Sequence, residues 1–183
     1  LGNLIFNFSK LLKQEASRKP SGQHILDKDY YNRIEAVQFT ISHDDGKIIS
    51  DLEDSDVILV GISRTSKTPT SIYLANRGYK VSNIPIIPNK NLPNKLFESS
   101  KKICVVGLIC ESTRLSDVRR NRMQSMHEDR PLNYTNEKKI LSELENSKEI
   151  FKKCNWPVID VTRKSVEETA ASIIKILDIL NSK

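Results

Sequence analysis

A three-layer α/β fold with a mostly parallel sheet, of the P-loop NTPase-like type, is what this sequence predicts, and three observations carry it. Short apolar runs, Val57-Ile58-Leu59-Val60 and Ile103-Cys104-Val105-Val106-Gly107-Leu108-Ile109, read as strands covered by helices on both faces, because they lack polar alternation. Amphipathic helical stretches alternate with them. Between the first run and the helix after it lies Gly61-Ile62-Ser63-Arg64-Thr65-Ser66-Lys67-Thr68, a glycine-started loop of the length and polarity that surrounds phosphate.

At the N-terminus Leu1, Leu4, Ile5, Phe8, Leu11 and Leu12 recur at helical spacing, and Pro20-Ser21-Gly22 breaks the chain after them. A helix over 28–41 follows and places Tyr30, Ile34, Val37 and Ile41 on one stripe. Ser42-His43-Asp44-Asp45-Gly46 is then a polar turn rich in titratable groups. After the strand at Val57–Val60 and the loop, Pro69 suits the first turn of a helix and Gly78 its C-terminal end. Val81 to Ile87 reads as a second strand, which completes a strand-helix-strand unit of the kind that crosses over right-handed. The run from Ile103 to Ile109 is a third strand, followed by a helix over 112–126. Residues 136–153 form a charged amphipathic helix with Ile140, Leu144, Ile150 and Phe151 inward. Trp156-Pro157-Val158-Ile159-Asp160-Val161 offers a short strand, and Ser165-Val166-Glu167-Glu168 has the form of a capping box that opens a helix to about residue 181. No stretch resembles a linker, so residues 1–183 read as one domain.

Composition narrows the function. Hydrophobic residues make up 38% and charged residues 28%, ordinary for a globular protein, and no apolar run nears the roughly 20 residues of a membrane span. The first residues lack the basic region and cleavage site of a signal peptide, and the absence of an initial Met leaves room for a preceding segment. Cys104, Cys110 and Cys154 are odd in number and form no close pair, which argues against a disulfide framework or a zinc site and suits a reducing cytoplasm. A net charge of +6 favours anionic partners. Aromatic residues are only 6% and are not interleaved with the basic ones, which speaks against stacking on single-stranded nucleic acid.

Gly61, Ser66, Lys67 and Thr68 match every fixed position of the Walker pattern except its second glycine. A side chain at Ser66 requires that this residue avoid a positive φ, so a departure from the Walker conformation is expected there. Lys67 is expected to contact terminal phosphate oxygens, and Thr68 to offer its hydroxyl to magnesium. Ser63, Arg64 and Thr65 add further donors. Asp44 and Asp45, with His43, have the groups to accept a proton or hold the metal, yet Asp-Asp-Gly is equally the composition of a solvated turn. For the acidic residue that a Walker fold carries on a second strand, Glu111 and Asp160 are both candidates and spacing does not choose. His24 and His127 read as surface residues.

The segment from Gly61 to Ser71, with Tyr73-Leu74-Ala75 and Gly78, resembles the signature of the pyruvate, phosphate dikinase regulatory protein family, which includes the phosphoenolpyruvate synthase regulatory proteins. The resemblance continues at His24-Ile25-Leu26-Asp27, Tyr31 to Ala36, His43 to Gly46, Val106-Gly107-Leu108, Arg119 to Arg122, Trp156 to Thr162 and Ser165 to Ala170, and so spans roughly 22–175. It implies a serine/threonine-protein kinase and phosphorylase: ADP-dependent phosphorylation of a threonine in the dikinase, and phosphate-dependent removal of that phosphate with release of pyrophosphate. On this reading residues Gly61 to Thr68 hold the β-phosphate of ADP or inorganic phosphate, with Lys67 central. His43, Asp44 and Asp45 activate the threonine in one direction and the phosphate in the other. Arg119, Arg120 and Arg122 either clamp phosphate oxygens or form a solvated basic helix. The implied partner is the dikinase, or alternatively the synthase, with no nucleic acid or membrane partner and a homodimer as the expected assembly. Family members carry a longer N-terminal region, so this chain is expected to be their C-terminal part. Two other readings stand beside this one: an ATP-dependent small-molecule kinase, and a non-enzymatic nucleotide- or RNA-binding module.

Overall fold

A computed structural model of the chain describes residues 2–16, 28–126 and 134–182. The expected break at Pro20-Ser21-Gly22, together with His24 and His127, lies outside the described residues. The chain divides into two compact units, residues 1–31 and 32–183. In the first, helix α1 (Gly2–Leu12) has the expected spacing, but none of its apolar side chains is buried.

Helix α2 (Lys28–Ser42) matches the expected element, with a different buried face: Ala36 and Thr40 are buried, and Ile34 and Ile41 of the expected stripe are exposed. The reason is a polar contact, since Thr40 Oγ1 accepts a hydrogen bond from the Val81 backbone N–H at 3.0 Å. Small side chains let the helix approach that strand closely, which a ridge of isoleucines would prevent.

The second unit is a four-stranded parallel sheet in the order β2-β1-β3-β4, built from β1 (Val57–Gly61), β2 (Val81–Pro85), β3 (Cys104–Ile109) and β4 (Val158–Asp160). All five residues of β1 are buried, as their unbroken apolar run requires of a central strand. Helix α3 (Lys67–Ala75) packs on α7 (Val166–Asn181), and α5 (Ser112–Met126) on α6 (Glu137–Lys153), so helices cover the sheet in a three-layer, P-loop-like arrangement. The chain leaves β1 toward β2 on one side and returns to β3 and β4 on the other. The strand order reverses at β1, and ligands collect at the C-terminal ends of strands at such a point.

Local chemistry explains most boundaries. Ser165 Oγ accepts from Glu168 N at 3.1 Å while Glu168 Oε2 accepts from Ser165 N at 2.8 Å, the reciprocal capping box expected for α7. In α6, Ile140, Leu144 and Phe151 are buried as expected, with Ile150 half-buried. Gly78 takes φ 92° just beyond α3. Strand β2 ends at Pro85, two residues before the expected Ile87, because its one partner, β1, ends at Gly61, the residue that pairs with Pro85. Helix α4 (Asn94–Ser99) was not expected; Pro93, at its N-cap, is the signal for it.

The core closes tightly where α6 meets β3. A Cβ on Gly107 would lie 2.7 Å from the ring of Phe151, which is fully buried and packs toward Trp156. Gly107→Ala is expected to destabilise the fold by about 1–3 kcal/mol through overpacking. Urea unfolding measures this, and an unchanged midpoint would mean that the ring has room to move.

Candidate functional site

Strand β1 delivers the chain to Gly61, where a Cβ would meet the Leu108 carbonyl oxygen at 2.6 Å and Thr65 Oγ1 at 2.8 Å. Only glycine fits between two strands and a returning loop. The loop closes on itself through buried Thr65, whose hydroxyl donates to the Ile62 carbonyl at 2.9 Å. Arg64 and Ser66 both take left-handed backbone, with φ 74° and φ 58°. The expectation that Ser66 avoids a positive φ is therefore corrected: serine occupies the conformation a Walker glycine would take, and the loop keeps its shape at the expense of local strain. Left-handed residues between right-handed ones turn successive N–H groups toward a common centre, the backbone pattern of an anion-binding concavity.

Lys67 opens α3 and is only 5% exposed. Its Nζ donates to the Ile62 carbonyl at 2.9 Å, and no carboxylate lies within ion-pair distance among the described residues. Burial pushes its pKa from 10.5 down to about 8, against the pull of Asp45 and then Asp44, and with the repulsion of Arg64 and Arg119. Lys67, Arg64, Ser63, Ser66, Thr68 and Asp45 line a cavity of about 330 Å³, together with Pro85 from the end of β2 and Val118 from α5.

The acidic turn comes to the same place. Asp44 begins a one-turn 3-10 helix, Asp44–Gly46, and its Oδ1 accepts from Thr68 Oγ1 at 3.0 Å and from Asn83 Nδ2 at 2.5 Å. Asn83 Nδ2 also lies 3.1 Å from Thr68 Oγ1, and its backbone N–H donates to the His43 carbonyl at 3.1 Å. Asp45, with φ 55°, faces the cavity. His43 does not line it: the buried ring stacks on Phe39 at 3.8 Å, and its Nδ1 and Nε2 face the Phe39 carbonyl at 2.8 Å and Asp51 Oδ1 at 3.0 Å. The hydrogen bond from His43 holds the Asp51 carboxyl below its ordinary pKa. His43 thus anchors the turn that presents Asp44 and Asp45. Of the two candidate acids, Asp160 accepts from the Thr162 hydroxyl with its carboxylate and Glu111 donates only its backbone N–H to Thr162 Oγ1; neither lines the cavity, and Asp44 is the carboxylate that touches Thr68.

Of the three arginines, one reaches the loop. Arg119 is 1% exposed and donates to the Ser63 carbonyl at 3.3 Å, the Tyr134 carbonyl at 3.1 Å and Glu143 Oε2 at 2.7 Å, with its guanidinium 4.7 Å from the Tyr134 ring centre. Tyr134 OH in turn bonds Ser63 Oγ at 2.9 Å. Burial raises the phenol's pKa, but the hydrogen bonds with Ser63 and Arg64 and the charges of Arg119 and Arg64 outweigh it, so the net shift is downward. Arg119 braces the loop from behind, whereas Arg120 pairs with Asp117 on the surface and Arg122 is exposed. Asn83 and Tyr134 escaped the sequence reading. A polar residue inside the run Val81-Ser82-Asn83-Ile84 was the signal for Asn83, and nothing local marks Tyr134.

A parallel sheet with a closed, glycine-started loop at its reversal point, a buried lysine and a threonine-aspartate pair beside it defines an α/β protein of the P-loop-like class. The chain belongs to the kinase/pyrophosphorylase family, whose model matches residues 1–174. It is 60% identical over 98% of its length to a protein of Pelagibacter ubique, 49% over 93% to one of Sphingopyxis alaskensis and 46% over 100% to one of Rhizorhabdus wittichii, each named as a pyruvate, phosphate dikinase regulatory protein. The chain spans 65%, 63% and 66% of those relatives' own lengths.

Two expected outcomes follow from the loop. Ser66→Gly should raise stability by about 0.5–1 kcal/mol in urea unfolding, since the left-handed strain outweighs the added chain entropy; a lower midpoint would show that serine is not strained there. Lys67 is harder to protonate in the folded chain than in the unfolded one, so below pH 8 its burial costs about 3 kcal/mol. That cost is relieved as pH rises from about 8 to 10.5, so Lys67→Met should be the more stable protein at pH 7, with the advantage shrinking toward pH 10.5. A pH-independent difference between the two proteins would contradict this origin.

Proposed function

We propose that this chain carries the transfer site of a bifunctional regulator of pyruvate, phosphate dikinase, which phosphorylates a threonine of that enzyme with ADP and removes the phosphate with inorganic phosphate. The observation that carries it is the arrangement of Lys67 at the floor of the loop cavity, Asp45 at its wall and the Thr68–Asp44 pair beside it. The family description and the names of the relatives support the phosphotransferase class and the dikinase as target.

In the kinase direction the threonine oxygen bonds to the β-phosphorus of ADP, the bond from that phosphorus to the bridging oxygen breaks, and AMP leaves. Asp45 accepts the threonine proton, and Lys67 with the loop N–H groups balances the charge on the transferring group. In the opposite direction an oxygen of hydrogen phosphate attacks the phosphorus of the phosphothreonine, the bond from that phosphorus to the threonine oxygen breaks, and Asp45 passes the proton of the attacking phosphate to the departing threonine oxygen, leaving pyrophosphate. Thr68 donates its hydrogen to Asp44 and accepts one from Asn83, which leaves a lone pair for magnesium, with the Asp44 carboxylate next to it. These oxygen donors fit that ion, which would neutralise phosphate charge when bound. Asn83 and His43 act as positioning residues through Asp44.

The test mixes the full-length protein with the dikinase and ADP, follows threonine phosphorylation by mass spectrometry, then adds phosphate and assays pyrophosphate. Asp45→Asn should lower kcat in both directions by about 10²–10⁴-fold with little change in the KM for ADP. Both activities surviving in that variant would remove Asp45 from the chemistry, and transfer from ATP but not ADP would favour the small-molecule kinase reading.

A further inference from the structure

We propose that a second cavity beside the phosphate loop is the docking groove for the polypeptide segment that bears the acceptor threonine; this rests on the protein-kinase reading above and adds where the substrate chain lies. The groove, of about 520 Å³, opens past the C-terminal ends of β1 and β2. Ile62 and Ile86 line it, and their chain neighbours Ser63 and Pro85 line the phosphate cavity. The Ile86 N–H donates to the Gly61 carbonyl at 3.0 Å, so the two cavities share one hydrogen-bonded backbone wall. An occupant of the groove lies against Ile62, whose carbonyl holds Lys67.

The walls offer amide chemistry. Asn89 and Asn91 come from the segment after β2, and Ser142 and Asn146 stand one turn apart on α6. These four side chains are exposed and make no hydrogen bond to another described residue. An asparagine amide presents a donor and an acceptor together, which matches the N–H and C=O of a peptide backbone. No aromatic side chain lines the groove, so it lacks the stacking surface that suits a nucleobase. Its carboxylate, Glu143, is already bonded to Arg119 at 2.7 Å, and Arg119 reaches the Ser63 carbonyl. An extended polypeptide fits this surface, and its occupancy is felt by the loop through Glu143 and Arg119.

The test uses the full-length protein, the dikinase and ADP. The double variant Asn91→Ala/Asn146→Ala should raise the KM for the dikinase about tenfold, the loss expected for two neutral hydrogen bonds, with the KM for ADP and the affinity for pyrophosphate unchanged. A benzophenone side chain placed at position 142 should cross-link to the dikinase peptide that contains the phosphorylated threonine. A raised KM for ADP would make the groove a nucleoside site, an unchanged KM for the dikinase would make it idle surface, and cross-links elsewhere on the dikinase would move the acceptor; each overturns the proposal. If the wild-type protein transfers no phosphoryl group, the kinase reading fails separately. A cross-link to any one dikinase segment then keeps the groove as a polypeptide site, and its absence overturns the groove.

Discussion

The phosphate loop depends on one buried positive charge that has no fixed counter-charge. Lys67 is held by a carbonyl, and its partners of opposite sign, Asp45 and Asp44, act on it without ion-pair contact. A buried ammonium in that state is costly, and an isolated one would lose its proton. On the proposed function, the N–H groups and the cation together form the socket that the phosphate groups of the substrate complete. Two left-handed residues, Arg64 and Ser66, are the further strain the chain bears to make this concavity. Such strain persists only where the surroundings over-determine it, and here Thr65, Arg119 and Tyr134 do so.

A second buried cation sets the contrast. Arg119 is as buried as Lys67, yet Glu143 and two carbonyls engage its guanidinium, and it faces the back of the loop. A buried charge with a permanent partner, as at Arg119, serves architecture; Lys67, held by a carbonyl alone, is the one that the proposed function assigns to the ligand. The distinction separates residues that a charge count alone would pool as a basic cluster. It also places the constraint between elements distant in sequence, since residues 63, 119, 134 and 143 meet at one point.

This distribution explains what could be read from the chain beforehand. Strands β1 and β3 were legible because a central parallel strand must be apolar throughout, and α7 because its cap is local. The phosphate loop was legible because its eight residues are contiguous. The acid at Thr68 was legible only as one candidate among several: Asp44 stood with Asp45 as a proton acceptor or metal ligand, but it lies 24 positions from Thr68 and arrives by way of α2, so Glu111 and Asp160 looked as good on spacing. His43 carried a signal of chemistry but serves as an anchor, because a side chain's direction depends on what packs around it. Ser66 failed for a different reason, since the rule that side chains avoid a positive φ states a cost and not a prohibition.

The atom balance of the proposed reactions gives the site one further requirement. ADP and pyrophosphate are both diphosphates, and AMP and inorganic phosphate are what remains of each after one phosphoryl group has moved. The kinase and phosphorylase steps are thus one transfer run in opposite directions, with a nucleoside attached in only one of them. Interactions that serve both must fall on the parts the two directions share, which are the diphosphate and the threonine segment. A loop built for the diphosphate, with a cavity for a polypeptide across its wall, places its binding groups on those shared parts. A proton acceptor such as Asp45 then serves both: it takes the proton of the attacking threonine hydroxyl in one step and, in the other, passes the attacking phosphate's proton to the departing threonine oxygen.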